Sequence, residues 1–274
     1  MRSGVTVVDV ERRSALAGLA WAGCTGFAGL AGFTSSSAAA ATAGPGRTAR
    51  AAAGPRPPAS LLGDEIRRLP TSRKVLALTF NAAWDVDGID AVLAELRRRR
   101  LPATFFPTGE FAEARPAAVR SIADAGHGLG NHSYSHPSFD DLGTAERTRE
   151  VRAADEAIRA ASGVEPLPFF RFPYSSTSPE TVADVNELGY AAIEFSADTN
   201  GYLGPKGGMT VGKAVERAVD AFAPGAIIQM HVGSNGAGVV LDAEALPLIA
   251  DAALADGYEV IDLRQFLVPA AEAR

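Results

Sequence analysis

Cysteine is almost absent: the 274 residues hold one, Cys24. That excludes an intramolecular disulfide framework and any zinc site built on thiolates. Histidine is scarce as well, four in all, so each position carries weight. The body of the chain also lacks a basic surface. The formal net charge is −6, with 8 basic and 4 acidic residues in residues 1–71 and 18 and 28 in the remainder. An acidic body gives a nucleic-acid backbone little to hold, so nucleic acid is not expected as a partner. What the chain has is apolar content. At 47% hydrophobic and 21% charged it is too apolar for disorder and long enough for one large domain.

The first residues read as an export signal. Arg12 and Arg13 precede an uncharged, Ala/Gly/Leu-rich stretch that runs into Ser35–Ala41, the order of basic, apolar and small-residue regions that a translocase and signal peptidase recognise. The adjacent arginines resemble a twin-arginine signal. Residues 14–33 carry no charge, but five are glycine and three leucine, weakly hydrophobic for a permanent span. The expected organisation is an export signal at 1–43, a Pro/Ala/Gly-rich linker at 44–72, a folded domain at 73–268 and a tail at 269–274. The expected location is secreted or cell-envelope, with no stable membrane insertion after processing.

From residue 74 short apolar runs alternate with helical patterns. Val75–Phe80, Ala103–Phe106, Phe169–Phe172, Tyr190–Phe195, Ala226–Met230 and Tyr258–Asp262 read as strands. Between them, helices are expected over Ile89–Arg100, Pro116–Ala125, Gly143–Ala161, Ser178–Leu188, Thr210–Phe222 and Asp242–Ala255. Arg97–Arg100 reads as the solvated last turn of a helix, where cations offset the dipole. Strands alternating with helices predict an α/β fold with a parallel sheet, open or closed into a barrel. In a barrel the chemistry lies at the C-terminal ends of the strands.

Polar residues do follow the apolar runs. Asn81 and Asp85 follow the first; His132 and His136 follow the short His127–Gly130 segment; Arg171 and Tyr174 follow Phe169–Phe170. Asp198 and Tyr202 come after Phe195, and His231 after Met230. His132 and His136 can present two imidazoles to one ion, and Pro137 predicts a fixed loop there rather than a helix. With Asp85 from another strand end they would make two histidines and a carboxylate, a set that leaves coordination positions open for catalysis. His127, among glycines, reads as a structural histidine.

Thr79-Phe80-Asn81, His132-Ser133-Tyr134-Ser135-His136-Pro137, Arg171-Phe172-Pro173-Tyr174 and His231 resemble the successive motifs of NodB-type polysaccharide deacetylases, carbohydrate esterase family four. The likeness spans about Lys74 to Leu267. It implies a distorted, incomplete (β/α) barrel that removes acetyl groups, N-acetyl above all, from a polysaccharide such as peptidoglycan or chitin. It also implies one divalent ion on Asp85, His132 and His136: zinc by default, with cobalt or nickel suited to the same ligands. By position, the likeness makes His231 the acid that protonates the leaving amine, supported by Asp198. Arg171 becomes the partner of the general base, and Tyr174 and Tyr202 the borders of the substrate site.

The likeness breaks at the base. Asn81 and Ala82 stand where the family has two aspartates, and an amide oxygen cannot take a proton at neutral pH. Asp85 is the nearest carboxylate that could bend back, with Asp87 as runner-up ligand or helix N-cap. Gly201-Tyr202 replaces an Asp-Trp pair, Val232 replaces an aspartate, and Gln229 stands where an aliphatic residue lines the acetyl pocket. A catalytically weakened or inactive carbohydrate-binding relative is the alternative expectation.

Overall fold

All eight residues of β1 (Val75–Ala82) are buried, which is why a run reading Val-Leu-Ala-Leu-Thr-Phe forms the centre of the sheet rather than its edge. In the computed structural model, which describes residues 56–234 and 238–267, the order continues α1 (Ile89–Arg99), β2 (Thr104–Pro107), α2 (Gly109–Ala114), α3 (Pro116–Asp124) and β3 (Gly128–Leu129). Next come α4 (Thr144–Ser162), β4 (Phe169–Phe170), α5 (Pro179–Glu187), β5 (Ala191–Ala192), β6 (Ala197–Asp198), α6 (Val211–Asp220), β7 (Ala226–His231), α7 (Leu241–Ala255) and β8 (Glu259–Ile261). The export signal, the linker up to residue 55 and the tail lie outside the described residues. The described residues all belong to one compact unit. No helix among them is long and apolar enough to cross a membrane.

The strands form a parallel sheet in the order β3-β2-β1-β7-β6. β8 pairs with the first residues of β1, and β4-β5 form a separate parallel pair. The sheet does not close, in keeping with a distorted, incomplete (β/α) barrel. Side chains that alternate along β1 serve two cores. Leu76, Leu78 and Phe80 pack under α1, α6 and α7, while Val75 and Ala77 face Phe106, Phe169 and Ile261. Phe80 and Phe105 stack with ring centroids 4.9 Å apart.

Three differences from expectation matter for the site. Folded structure begins before Arg73: Leu61 and Leu69 are buried in the second core, and Ile66 and Arg68 bridge to Ile193 and Ala226. The second half of the expected linker therefore covers sheet edges that would otherwise carry unpaired backbone. Asp198 lies within a two-residue strand, β6, paired with Gln229 of β7. The short helix α2 has no counterpart in the expected order. Thr108 caps it by accepting from Phe111 N at 3.1 Å.

Candidate active site

Register places the ends of the strands side by side. Asn81 of β1 is the direct partner of His231 of β7, and Asp198 of Gln229. His132, His136, Asn81, Tyr174, Asp198, Tyr202 and His231 line one cleft of ≈ 370 Å³, walled also by Trp84, Arg217 and Gln229. Each of those seven sequence-predicted residues is thus delivered to one place. Arg171 lies beneath it, fully buried, and Asp85 lies to one side.

The histidine loop is fixed from below. Glu150 of α4 accepts from Tyr134 N at 2.9 Å and from Ser135 N at 2.8 Å, and Ser133 Oγ accepts from His136 N at 3.0 Å. Ser133 and His136 take positive φ, 65° and 60°. As expected from Pro137, the segment is a loop. It brings the two imidazoles together edge to face, centroids 4.8 Å apart. Burial holds both histidines neutral: His132 is pushed well below the ordinary histidine range and His136 to about 4.

His132 Nδ1 lies 2.8 Å from the carbonyl oxygen of Arg171, which can only accept, so Nδ1 carries the proton. Its Nε2 is therefore the lone-pair nitrogen, and Asn81 Nδ2 donates to it at 3.1 Å. The other end of the same amide, Oδ1, accepts from Arg171 Nη1 at 3.0 Å. Asn81 thus bridges a buried guanidinium and the imidazole nitrogen that would hold an ion.

Asp85 does not join the histidines. Its carboxylate accepts from Ser234 N at 2.9 and 3.1 Å and from Ser234 Oγ at 3.3 Å, which fastens the β1–α1 loop to the segment after β7. Asp87 accepts from Ser234 Oγ at 2.7 Å and does not cap α1, whose N-cap is Gly88. Among the described residues no group of three His, Cys, Asp or Glu could hold a metal ion. The expected Asp85–His132–His136 set is corrected to two imidazoles, one with its free nitrogen capped by an amide, the other with a buried Nδ1 that finds no hydrogen-bond partner among the described residues. These residues do not supply the three-ligand site of a catalytic zinc.

Two carboxylates that sequence reasoning misses complete the site. Glu194, buried, accepts from Phe172 N at 3.0 Å and Ser175 Oγ at 2.7 Å. It holds the turn in which Tyr174 and Ser175 take φ of 60° and 51°. Burial pushes its carboxyl up while Arg171 pulls against this, and burial lowers Arg171 to about 10. Glu194 first, and Asp198 after it, supply the negative charge that favours the Arg171 guanidinium. Asp242, at the start of α7, accepts from His231 N at 2.8 Å. His231 Nδ1 lies 3.8 Å from Asp198 Oδ1 and 3.7 Å from Asp242 Oδ2, and its ring packs on Tyr202 at 4.5 Å. Gln229 donates to Asp198 Oδ2 at 2.9 Å. His127 is away from the cleft, packed on Phe105 at 5.5 Å.

A pH dependence follows. His127, His132 and His136 all have folded-state pKa values below the usual 6.5, chiefly from burial. Below about pH 6.5 the unfolded chain takes up protons that the folded imidazoles refuse, so stability falls as pH drops from about 6.5 toward 4. Urea midpoints are expected to decline over that window, with a shallower decline in His136→Gln. Equal slopes in the two proteins would refute this.

The fold and cleft define an α/β protein with a polar cleft at the C-terminal ends of parallel strands, and the comparisons give the family. The profile described as Polysaccharide deacetylase matches residues 68–193. A chitooligosaccharide deacetylase of Sinorhizobium fredii is 30% identical over 173 residues, 62% of this chain and 79% of that one. A peptidoglycan-N-acetylglucosamine deacetylase of Bacillus cereus is 28% identical over 167 residues, 61% of this chain and 59% of that one. The chain thus spans less than two thirds of that relative's length. A family 4 carbohydrate esterase pseudoenzyme from Bacillus anthracis superposes with a TM-score of 0.67 at 25% identity, covering 74% of this chain and 69% of that one. A mutant of that pseudoenzyme has restored enzymatic activity. This chain belongs to the polysaccharide deacetylase family, the NodB-type carbohydrate esterases of family four.

Proposed function

We propose that this protein hydrolyses N-acetyl groups on an extracellular or cell-wall polysaccharide of peptidoglycan or chitin type, and does so weakly. The observation that carries the reading is His231 at the cleft wall, its Nδ1 between two carboxylates, which leaves Nε2 to meet substrate. An acetamide gives up its amine only when that amine is protonated, and an imidazolium held in place suits the task. Tyr174 and Tyr202 border the cleft as apolar faces for a sugar ring. The weakness is ascribed to Asn81, whose amide oxygen is no base and is occupied by Arg171. Export is supported by the Arg12-Arg13 signal pattern and fits an insoluble substrate.

One observation favours a second reading, a glycan-holding protein without hydrolysis: the Asn81 amide caps His132 Nε2. The test is acetate release by the full chain from N-acetylated chito-oligosaccharide and from peptidoglycan. Slow release is expected, lowered about 10²–10⁴-fold in His231→Gln. Binding of either glycan without acetate release would favour the second reading.

A further inference from the structure

Asp242 is 1% exposed, and among the described residues its Oδ1 finds no hydrogen-bond partner. A carboxylate near the start of a helix is ordinarily explained by the dipole and by contact with water. This one is away from water and turned to His231. Oδ2 accepts from the His231 backbone amide at 2.8 Å and stands 3.7 Å from the ring's Nδ1. Space for it exists because residue 201 is glycine. A Cβ at Gly201 would lie 2.2 Å from Asp242 Oδ1 and 2.4 Å from its Cγ, although the backbone there has no positive φ that would itself call for glycine.

We propose that Asp242 is a positioning residue for His231. It sits in the volume a side chain at 201 would fill, accepts from the main chain of the cleft histidine and stands 3.7 Å from its ring Nδ1. This carboxylate comes from α7, eleven residues after the histidine, and faces Nδ1 together with Asp198 of β6. The inference rests on the reading of His231 as proton donor, but its geometry can be tested without turnover.

The experiment records two-bond ¹H–¹⁵N spectra of the full chain, whose four histidines make the His231 ring signals assignable through His231→Gln. Asp242→Ala and Gly201→Ala are expected to shift the His231 ring nitrogens and its backbone amide. Asp242→Asn, which keeps an acceptor, should shift the ring and spare the amide. Moving the carboxylate, Gly201→Asp with Asp242→Gly, should return the ring signals toward wild type. Where acetate release is measurable, Asp242→Asn should lower kcat about tenfold or more with KM within about twofold, as for a group that orients an imidazole. His231 signals unchanged in Asp242→Ala and Gly201→Ala, with unchanged melting temperature, would overturn the proposal. Should Asp242→Ala fail to fold, Asp242→Asn and the relocated pair decide it by the same signals. A wild type that releases no acetate would sink the hydrolytic reading, while the ring signals still decide the role of Asp242.

Discussion

Asn81→Asp is expected to raise acetate release by about 10²–10⁴-fold, the range over which a positioned base acts, and to bring divalent metal with the purified protein. The reason is electrostatic. In the natural chain the amide satisfies both neighbours, accepting from Arg171 Nη1 and donating to His132 Nε2. A carboxylate of the same shape keeps the first contact as a charge-assisted hydrogen bond. Against the second it sets an anionic oxygen near a lone-pair nitrogen, an arrangement that needs a proton or a cation between them. Burial strongly opposes the proton on His132, so the cation is favoured. Metal analysis and acetate release, each with and without a chelator, check the two halves separately. No gain in either would show that the amide is not what limits the site.

The second large effect concerns the fold. Arg171→Ala is expected to lower stability by about 3–5 kcal/mol, the loss typical when a large, fully buried side chain is cut back to alanine. Arg171 donates to Ile193 O at 3.0 Å, Asn81 Oδ1 at 3.0 Å and Glu194 O at 3.3 Å, and lies over the Phe106 ring at 4.1 Å. Its removal strands three acceptors and the Glu194 carboxyl, and leaves a cavity as well. Arg171→Lys should recover only part, since one ammonium cannot reproduce the planar fork. Combining Arg171→Ala with Glu194→Gln should cost less than the sum of the two, because the second change removes the stranded charge. Additive urea midpoints would mean that Glu194 is not the partner.

How far the sequence can be read depends on the length of the signal. The apolar run at Val75 and the helical spacing of Ile89, Val92, Leu93 and Leu96 locate β1 and α1 within a residue or two, because burial on a long element imposes a period. β6 has two residues, Ala197 and Asp198, too few for any period, so the pattern puts Asp198 after a strand and not within one. Leu61, Ile66 and Leu69 hide among prolines and alanines, though isolated apolar residues are enough to cover a sheet edge. The histidine loop is legible because two imidazoles and a proline in six residues constrain one another.

The carboxylates are the hard part. Asp85 stands out for its nearness in sequence to Asn81, yet three more residues carry the chain over the rim to Ser234. Glu194 and Asp242 give no such signal, one lying in a strand-like run and the other resembling an ordinary helix-start acid. Which acid faces which base is settled by packing between distant elements, and a single sequence holds no record of that.

The clasp of Asp85 on Ser234 has a mechanical meaning. One end belongs to the loop that carries Trp84, the other to the segment just past His231, and both loops reach the lining of the cleft. A displacement of either loop would be passed to the other through that fastener. Trp84 and His231 are then held as one wall and not as two independent loops.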